Sequence, residues 1–289
     1  MKKILYILFA IVFCGCDVIH EQDRILTLQL DSIPLSVDSP PDTQDTIQED
    51  IVLRTNVLIE FTGFRCVNCP TAAVRAQELG HLYGDRLIVV AMHPASNPFT
   101  KGAAKYNYTC PEADIYYQFM GGTAQTSFPT GNINMQKLSG GYFCDYMDWP
   151  GIIADAMRDT AEVHMEIIGL QADTVTREVS FNLTAFTDRT IDCNMVFWIV
   201  EDSIKGAQAM PDGTNNMEYY HRHVLRRTIS TDPWGEAIQL TKEKLTISKS
   251  TTLPEEYDIL QCHIIAVALD PNDKHILNAA EASIKIIQQ

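Results

Sequence analysis

The residues of this chain best suited to chemistry are Cys66 and Cys69, which enclose Val67 and Asn68 in a C-x-x-C run. Two thiols at that spacing can close a disulfide, exchange it with another protein, or hold zinc when further ligands lie nearby. No second C-x-x-C and no histidine pair at finger spacing accompanies them, so thiol chemistry is favoured and no metal is expected. Their setting also suits reactivity. Val57-Leu58-Ile59-Glu60-Phe61 is a nearly continuous apolar run of the kind found in buried strands, and Pro70 to Tyr83 places Ala73, Ala76, Leu79 and Leu82 at helical spacing. At a strand-to-helix junction the backbone N–H groups and the helix dipole stabilise a thiolate, and Arg65 adds a positive charge. Cys66 is therefore the expected nucleophile, and Cys69, one turn further on, the thiol that resolves a mixed disulfide.

The elements that must position this pair follow from the same patterning. Leu87 to Met92 is a second buried-strand run, which completes a β-α-β unit. A helix near Glu112 to Met120, a strand near Gly131 to Met135 and a helix from Trp149 to about Ala161 give residues 51–163 an α/β character. Residues 164–289 change to alternating or β-branched runs at Met165–Ala172, Val175–Phe186, Asn194–Glu201, His223–Ile229, Lys244–Lys249, Ile259–Asp270 and Ile276–Ile287. With turns at Asp212-Gly213 and Asp270-Pro271-Asn272-Asp273, this half predicts an immunoglobulin-like β-sandwich, and the fold class is α/β plus all-β. Within it, His221 and His223 at i and i+2 would share one strand face and could chelate a metal, but no third ligand is in view. A strand with a polar face is the simpler reading. Trp198 and Trp234 read as sandwich core.

The first half resembles the thioredoxin superfamily in several independent features. Glu60 stands six residues before Cys66, where thioredoxins keep a buried acid that relays the proton of the resolving thiol. In low dielectric its pKa should rise toward the range of a working general base. Ser127-Phe128-Pro129-Thr130-Gly131 resembles the loop in which a cis-proline faces the dithiol, so the resemblance makes Pro129 that proline and places Phe128 and Thr130 at the peptide groove. The Val-Asn pair between the cysteines differs from the dipeptides of reducing thioredoxins and of periplasmic oxidases, so the direction of electron flow does not carry over. The resemblance implies no cofactor.

The N-terminus gives the address. Lys2 and Lys3 precede the apolar run Ile4 to Phe13, too short to span a bilayer and laid out as a secretory signal. It ends in Phe13-Cys14-Gly15-Cys16, which resembles a bacterial lipobox: small Gly15 selects Cys16 for lipidation, and residues 1–15 are the signal peptide. Residues 16–50, rich in Asp, Glu, Ser, Thr and Pro, read as an acidic tether. A formal net charge of -15 disfavours nucleic acid and anionic headgroups as partners, so the membrane is reached through the lipid. Secretion permits disulfides, and besides Cys66 and Cys69 the mature chain keeps Cys110, Cys144, Cys193 and Cys262. Cys110 with Cys144, and Cys193 with Cys262, are candidate bridges.

Lipobox, tether, C-x-N-C-P run, Phe-Pro-Thr-Gly loop and a β-rich half containing His-Val-Leu-Arg together resemble the twenty-eight-kilodalton outer-membrane lipoprotein family of anaerobic Gram-negative bacteria. That resemblance implies an outer-membrane lipoprotein, facing the periplasm or the surface. It leaves two functions open: thiol–disulfide exchange on envelope proteins, or adhesion and partner binding with a structural Cys66–Cys69 bridge.

Overall fold

The computed structural model describes residues 52–102 and 108–284. Cys16, the signal peptide and the tether lie outside the described residues. Strand β1 (Asn56–Phe61) pairs in parallel with β2 (Leu87–Met92) through the crossover helix α1 (Cys69–Tyr83), and antiparallel with β3 (Thr130–Ile133). All of β1 is buried, and its two faces serve different cores, as strand alternation requires. Val57, Ile59 and Phe61 pack with α2 (Pro111–Phe119). Leu58 packs with Ala72, Ala76 and Leu79 of α1 and with Trp149 and Ile153 of α3 (Trp149–Ala156).

Gly131 shows how tightly β3 is held. A Cβ there would lie 2.7 Å from the Trp149 ring and 2.8 Å from the Ile59 carbonyl oxygen. Gly131→Ala is therefore expected to cost about 1–3 kcal/mol by overpacking. The check is the urea midpoint at unchanged slope, and an unmoved midpoint would mean that the Trp149 ring shifts freely.

The rest of the chain is almost entirely strand. β4 (His164–Ala172), β5 (Glu178–Phe186) and β11 (Leu245–Thr252) form a three-stranded antiparallel sheet in the order β11-β5-β4. β7 (Ile204–Ala209) and β8 (Asn215–His221) form a separate hairpin. β6 (Ile191–Glu201), β9 (Val224–Thr228), β10 (Glu236–Leu240), β12 (Cys262–Leu269) and β13 (Ile276–Ser283) join β1–β3 in one mixed sheet. Its order is β13-β12-β6-β9-β2-β1-β3, with β10 on β6.

The sheet thus runs across residues 163 and 164, through the parallel pairing of β2 with β9 at Ala91 and Val224. Ala91 N–H donates to the His223 carbonyl at 2.9 Å. A second tie joins β13 to the turn after β3, where Ile276 N–H donates to Asn134 O at 2.8 Å. The apolar density of β6 and β12 explains why the sheet does not stop. Val196, Trp198, Val200, Ile265 and Val267 face the core that contains the dithiol, while Met195, Phe197, Ile199, Ile264 and Ala266 face the core shared with β5. These strands are one wall with a core on each side.

Among the described residues the four other cysteines, Cys110, Cys144, Cys193 and Cys262, are free and buried, contrary to the candidate bridges. Cys110 donates to Leu225 O at 3.5 Å and Cys144 to Gly131 O at 3.3 Å, in different cores. On the β6–β12 ladder Cys262 lies opposite Glu201, whereas Asn194, next to Cys193, lies opposite Leu269. That offset is roughly 25 Å at the strand rise, against about 4–7 Å between the Cα atoms of a bridge. Burial pushes the thiols of Cys110 and Cys262 up to about 12 and those of Cys144 and Cys193 up to about 11, so all four are inert at neutral pH.

Candidate thiol site beneath a hairpin

Cys66 and Cys69 are joined by a disulfide, with Cα atoms 5.4 Å apart. The loop before them is shaped by Gly63, where a Cβ would come within 2.5 Å of the Phe99 carbonyl oxygen. Cys66 N–H donates to Gly63 O at 2.9 Å and Arg65 N–H to Phe99 O at 3.1 Å, which turns the chain out of β1 and into α1. Pro70, in the first turn of α1, lacks the N–H that this position would leave unpaired. Only 2% of Cys66 and 1% of Cys69 is exposed, while Val67 between them is 45% exposed. The loop meets solvent and the sulfurs do not.

The Phe128–Pro129 peptide bond is cis. Phe128 is buried beside Phe99 and Tyr117, with ring centroids 6.0 and 5.8 Å away. Thr130 is buried too, and its hydroxyl donates to Cys144 O at 3.0 Å, so that group is committed to the framework.

Glu60, Cys69, His93, Tyr219 and His221 line a cavity of about 360 Å³. Among the described residues Glu60 Oε1 has no hydrogen-bond partner, and burial raises its carboxyl to about 8. Both His93 ring nitrogens likewise lack a hydrogen-bond partner, and burial holds that ring well below its ordinary range. His221 is held down to about 4, again by burial, with Nε2 3.2 Å from Ala207 O. Burial thus favours the neutral forms of Glu60, His93 and His221 in this part of the chamber.

Its cover is the β7–β8 hairpin. Gln208 Nε2 donates to Cys66 O at 2.9 Å and Ala209 N–H to Phe64 O at 2.8 Å. Tyr219 of the same hairpin sits close enough to Glu60 that burial, and then the Glu60 charge, push its phenol up to about 12. Sequence reasoning did not reach Gln208 or Tyr219, because nothing in their local pattern refers to a dithiol more than 130 residues upstream. It also paired His221 with His223, which the structure separates. β8 ends at His221, whose ring lies beside Ala207 O, whereas His223, with a positive φ of 46°, meets His263 and Glu281.

The family described as outer membrane protein Omp28 matches residues 113–288, and the chain belongs to that family. It is a protein of the outer membrane, and no described helix is long and apolar enough to cross a membrane. Among solved structures, HBP35 of Porphyromonas gingivalis is 17% identical with a TM-score of 0.63, over 82% of this chain and 80% of that one, which establishes a shared fold. A protein from Agrobacterium tumefaciens is 12% identical with a TM-score of 0.48, over 83% and 98% of the two chains. A domain of the outer membrane lipoprotein Omp28 from Porphyromonas gingivalis is 13% identical with a TM-score of 0.32, over 44% of this chain and 92% of that one. No curated protein matches the chain.

Proposed function

We propose that this protein is an outer-membrane lipoprotein, lipidated at Cys16, in which Cys66 and Cys69 are a thiol–disulfide exchange pair for envelope proteins. In this reading residues 51–163 are a thioredoxin-like unit, and residues 164–289, an immunoglobulin-like sandwich, contribute the hairpin that covers the pair. The observation that carries it is Glu60. An unpartnered buried carboxyl is costly, and such groups concentrate where chemistry uses them. With its carboxyl near 8, Glu60 is poised to exchange a proton with Cys69.

In the reducing direction, the Cys66 thiolate attacks one sulfur of a substrate disulfide, and the other sulfur leaves as a thiolate that takes a proton from solvent. Cys69 gives its proton to the ionised form of Glu60 and attacks Cys66 Sγ, which releases the substrate's second sulfur as a thiolate, reprotonated from solvent, and closes the Cys66–Cys69 bridge. The reverse sequence oxidises a substrate dithiol. In this reading Pro129 and Phe128 shape the peptide groove, and no cofactor takes part.

The test is the Cys66 thiol pKa in the reduced protein, together with trapping by a Cys69→Ala variant. A depressed pKa and mixed disulfides with envelope proteins are expected. A value near the unperturbed ~8.5 with nothing trapped would overturn the exchange role.

A second reading, partner binding or adhesion with a permanent bridge, is favoured by the burial of both sulfurs under Gln208 and Tyr219. The reduction potential separates the two. A potential below about -300 mV marks a structural bridge, and one between about -270 and -120 mV marks exchange chemistry. If the hairpin gates the pair, Gln208→Ala should also speed reduction of the bridge by a small thiol several-fold.

A further inference from the structure

We propose that His223, His263 and Glu281 bind a divalent transition-metal ion of the zinc class. Glu281 Oε1 lies 3.1 Å from His223 Nε2 and 2.9 Å from His263 Nδ1. One ligand atom from each of the three residues falls within 4.8 Å of the others. Two imidazoles and one carboxylate form an N₂O set that suits Zn²⁺, Ni²⁺ or Cu²⁺ and disfavours Ca²⁺, which takes oxygen ligands.

The fold brings these groups together before any ion arrives. In the β12–β13 ladder His263 faces Ser283 and Ile265 faces Glu281, so His263 and Glu281 are diagonal neighbours on one face. His223 reaches them from the β8–β9 turn, where its positive φ and the bond from Ala91 N–H to its carbonyl fix the backbone.

The surroundings fit a bound ion. Asp202 Oδ2 stands 3.8 Å from His223 Nδ1, on the ring edge away from Glu281, beyond hydrogen-bond distance but placed to receive that N–H if the ring turns toward a bound ion. Arg222 Nη1 lies 3.5 Å from the same oxygen. Ser283 Oγ is 3.3 Å from His263 Nδ1. The three ligand side chains are 19–26% exposed, so an ion can enter from solvent. Three protein ligands leave a further position for water or a small ligand. Asp202, His223 and Glu281 also line the cavity that holds Glu60 and Cys69, so an ion here borders the disulfide chamber.

A second His-carboxylate group, Asp270, Asp273 and His275, supplies the internal control. There Asp270 accepts from Asn272 N–H at 2.7 Å and His275 Nδ1 lies 2.6 Å from Asp273, both within one turn.

The test is titration of the full-length protein, purified without a histidine tag, with Zn²⁺ by calorimetry and with Co²⁺ by visible absorption. One ion per chain is expected, with cobalt d–d bands and no thiolate charge-transfer band. H263A and E281Q, each checked for a native circular dichroism spectrum, should weaken binding by more than the roughly 10- to 100-fold typical of an orienting partner, and D202N by about 10-fold. D273N should change nothing. Absence of saturable binding, binding that survives H263A and E281Q, loss in D273N, or a thiolate band would each overturn the site.

Discussion

Replacing Glu60 with Gln is expected to flatten the dependence of stability on pH between about 5 and 8. An unfolded glutamate ionises near 4.5, whereas the buried one keeps its proton up to about 8. Between those values the native state holds a proton that the unfolded state has lost. The stability linked to Glu60 is therefore complete below 4.5 and falls as pH rises toward 8. At about 1.4 kcal/mol per pH unit, the loss is on the order of 5 kcal/mol. A glutamine amide fills the same space and never ionises. E60Q should match the wild type at pH 5 and exceed it by several kcal/mol at pH 8.5, read from urea unfolding of the oxidised protein. Parallel pH profiles for the two proteins would show that the folded carboxylate is solvated on ionisation. Reduced E60Q should also resolve mixed disulfides slowly if the exchange chemistry is correct, whereas a structural bridge leaves only the stability effect.

Replacing Cys16 with Ser is expected to move the protein from the membrane fraction to the soluble one. Only a thiol accepts the diacylglyceryl group, and each buried CH₂ of an acyl chain contributes about 0.8 kcal/mol, so losing two or three chains removes the anchor outright. The acidic surface offers no electrostatic substitute at an anionic bilayer. If C16S still sediments with membranes after a high-salt wash, the anchor lies elsewhere. The tether bears on which side is exposed. If residues 17–50 act as the flexible tether that their composition predicts, 34 residues would span about 30–35 Å. Removal of the wild-type protein by protease added to intact cells would place the folded unit outside, and would favour partner binding over periplasmic exchange.

The parts of the fold that were legible in the sequence are those in which one strand or helix reports its own burial. Val57 to Phe61 and Leu87 to Met92 read as buried strands and are β1 and β2; Pro70 to Tyr83 reads as the helix between them. Most of the later strands stand within a few residues of their apolar runs. β7, and β8 before its end at Tyr219–His221, do not show in the sequence because their partner is the dithiol loop and not a continuous core. β8 is mostly exposed, and β7 contains Gly206 and Ala207 where alternation would need larger side chains. The junction of the two halves was hidden for a related reason. It rests on Ala91 meeting Val224, and neither residue type announces a partner so far along the chain. Around the thiols, Cys66, Cys69 and Glu60 stand out by spacing and resemblance, whereas the placement of His93, Gln208 and Tyr219 beside them emerges only from tertiary packing. The doubly apolar runs Met195–Val200 and Ile264–Leu269 carried a further message: a strand with no polar face has a core on each side.

The hairpin also fixes an order of events in the making of the molecule. Synthesis proceeds from the N-terminus, so β1, α1 and β2 exist before Gln208, Tyr219 and Val224 have been polymerised. During that interval nothing from the later half can lie over Cys66 and Cys69, and an oxidant in the envelope meets both thiols unshielded. The contacts that bury them are long-range in sequence and so form late. Hairpin docking then covers the pair, so its sulfurs are more accessible while the chain is still folding than in the finished protein.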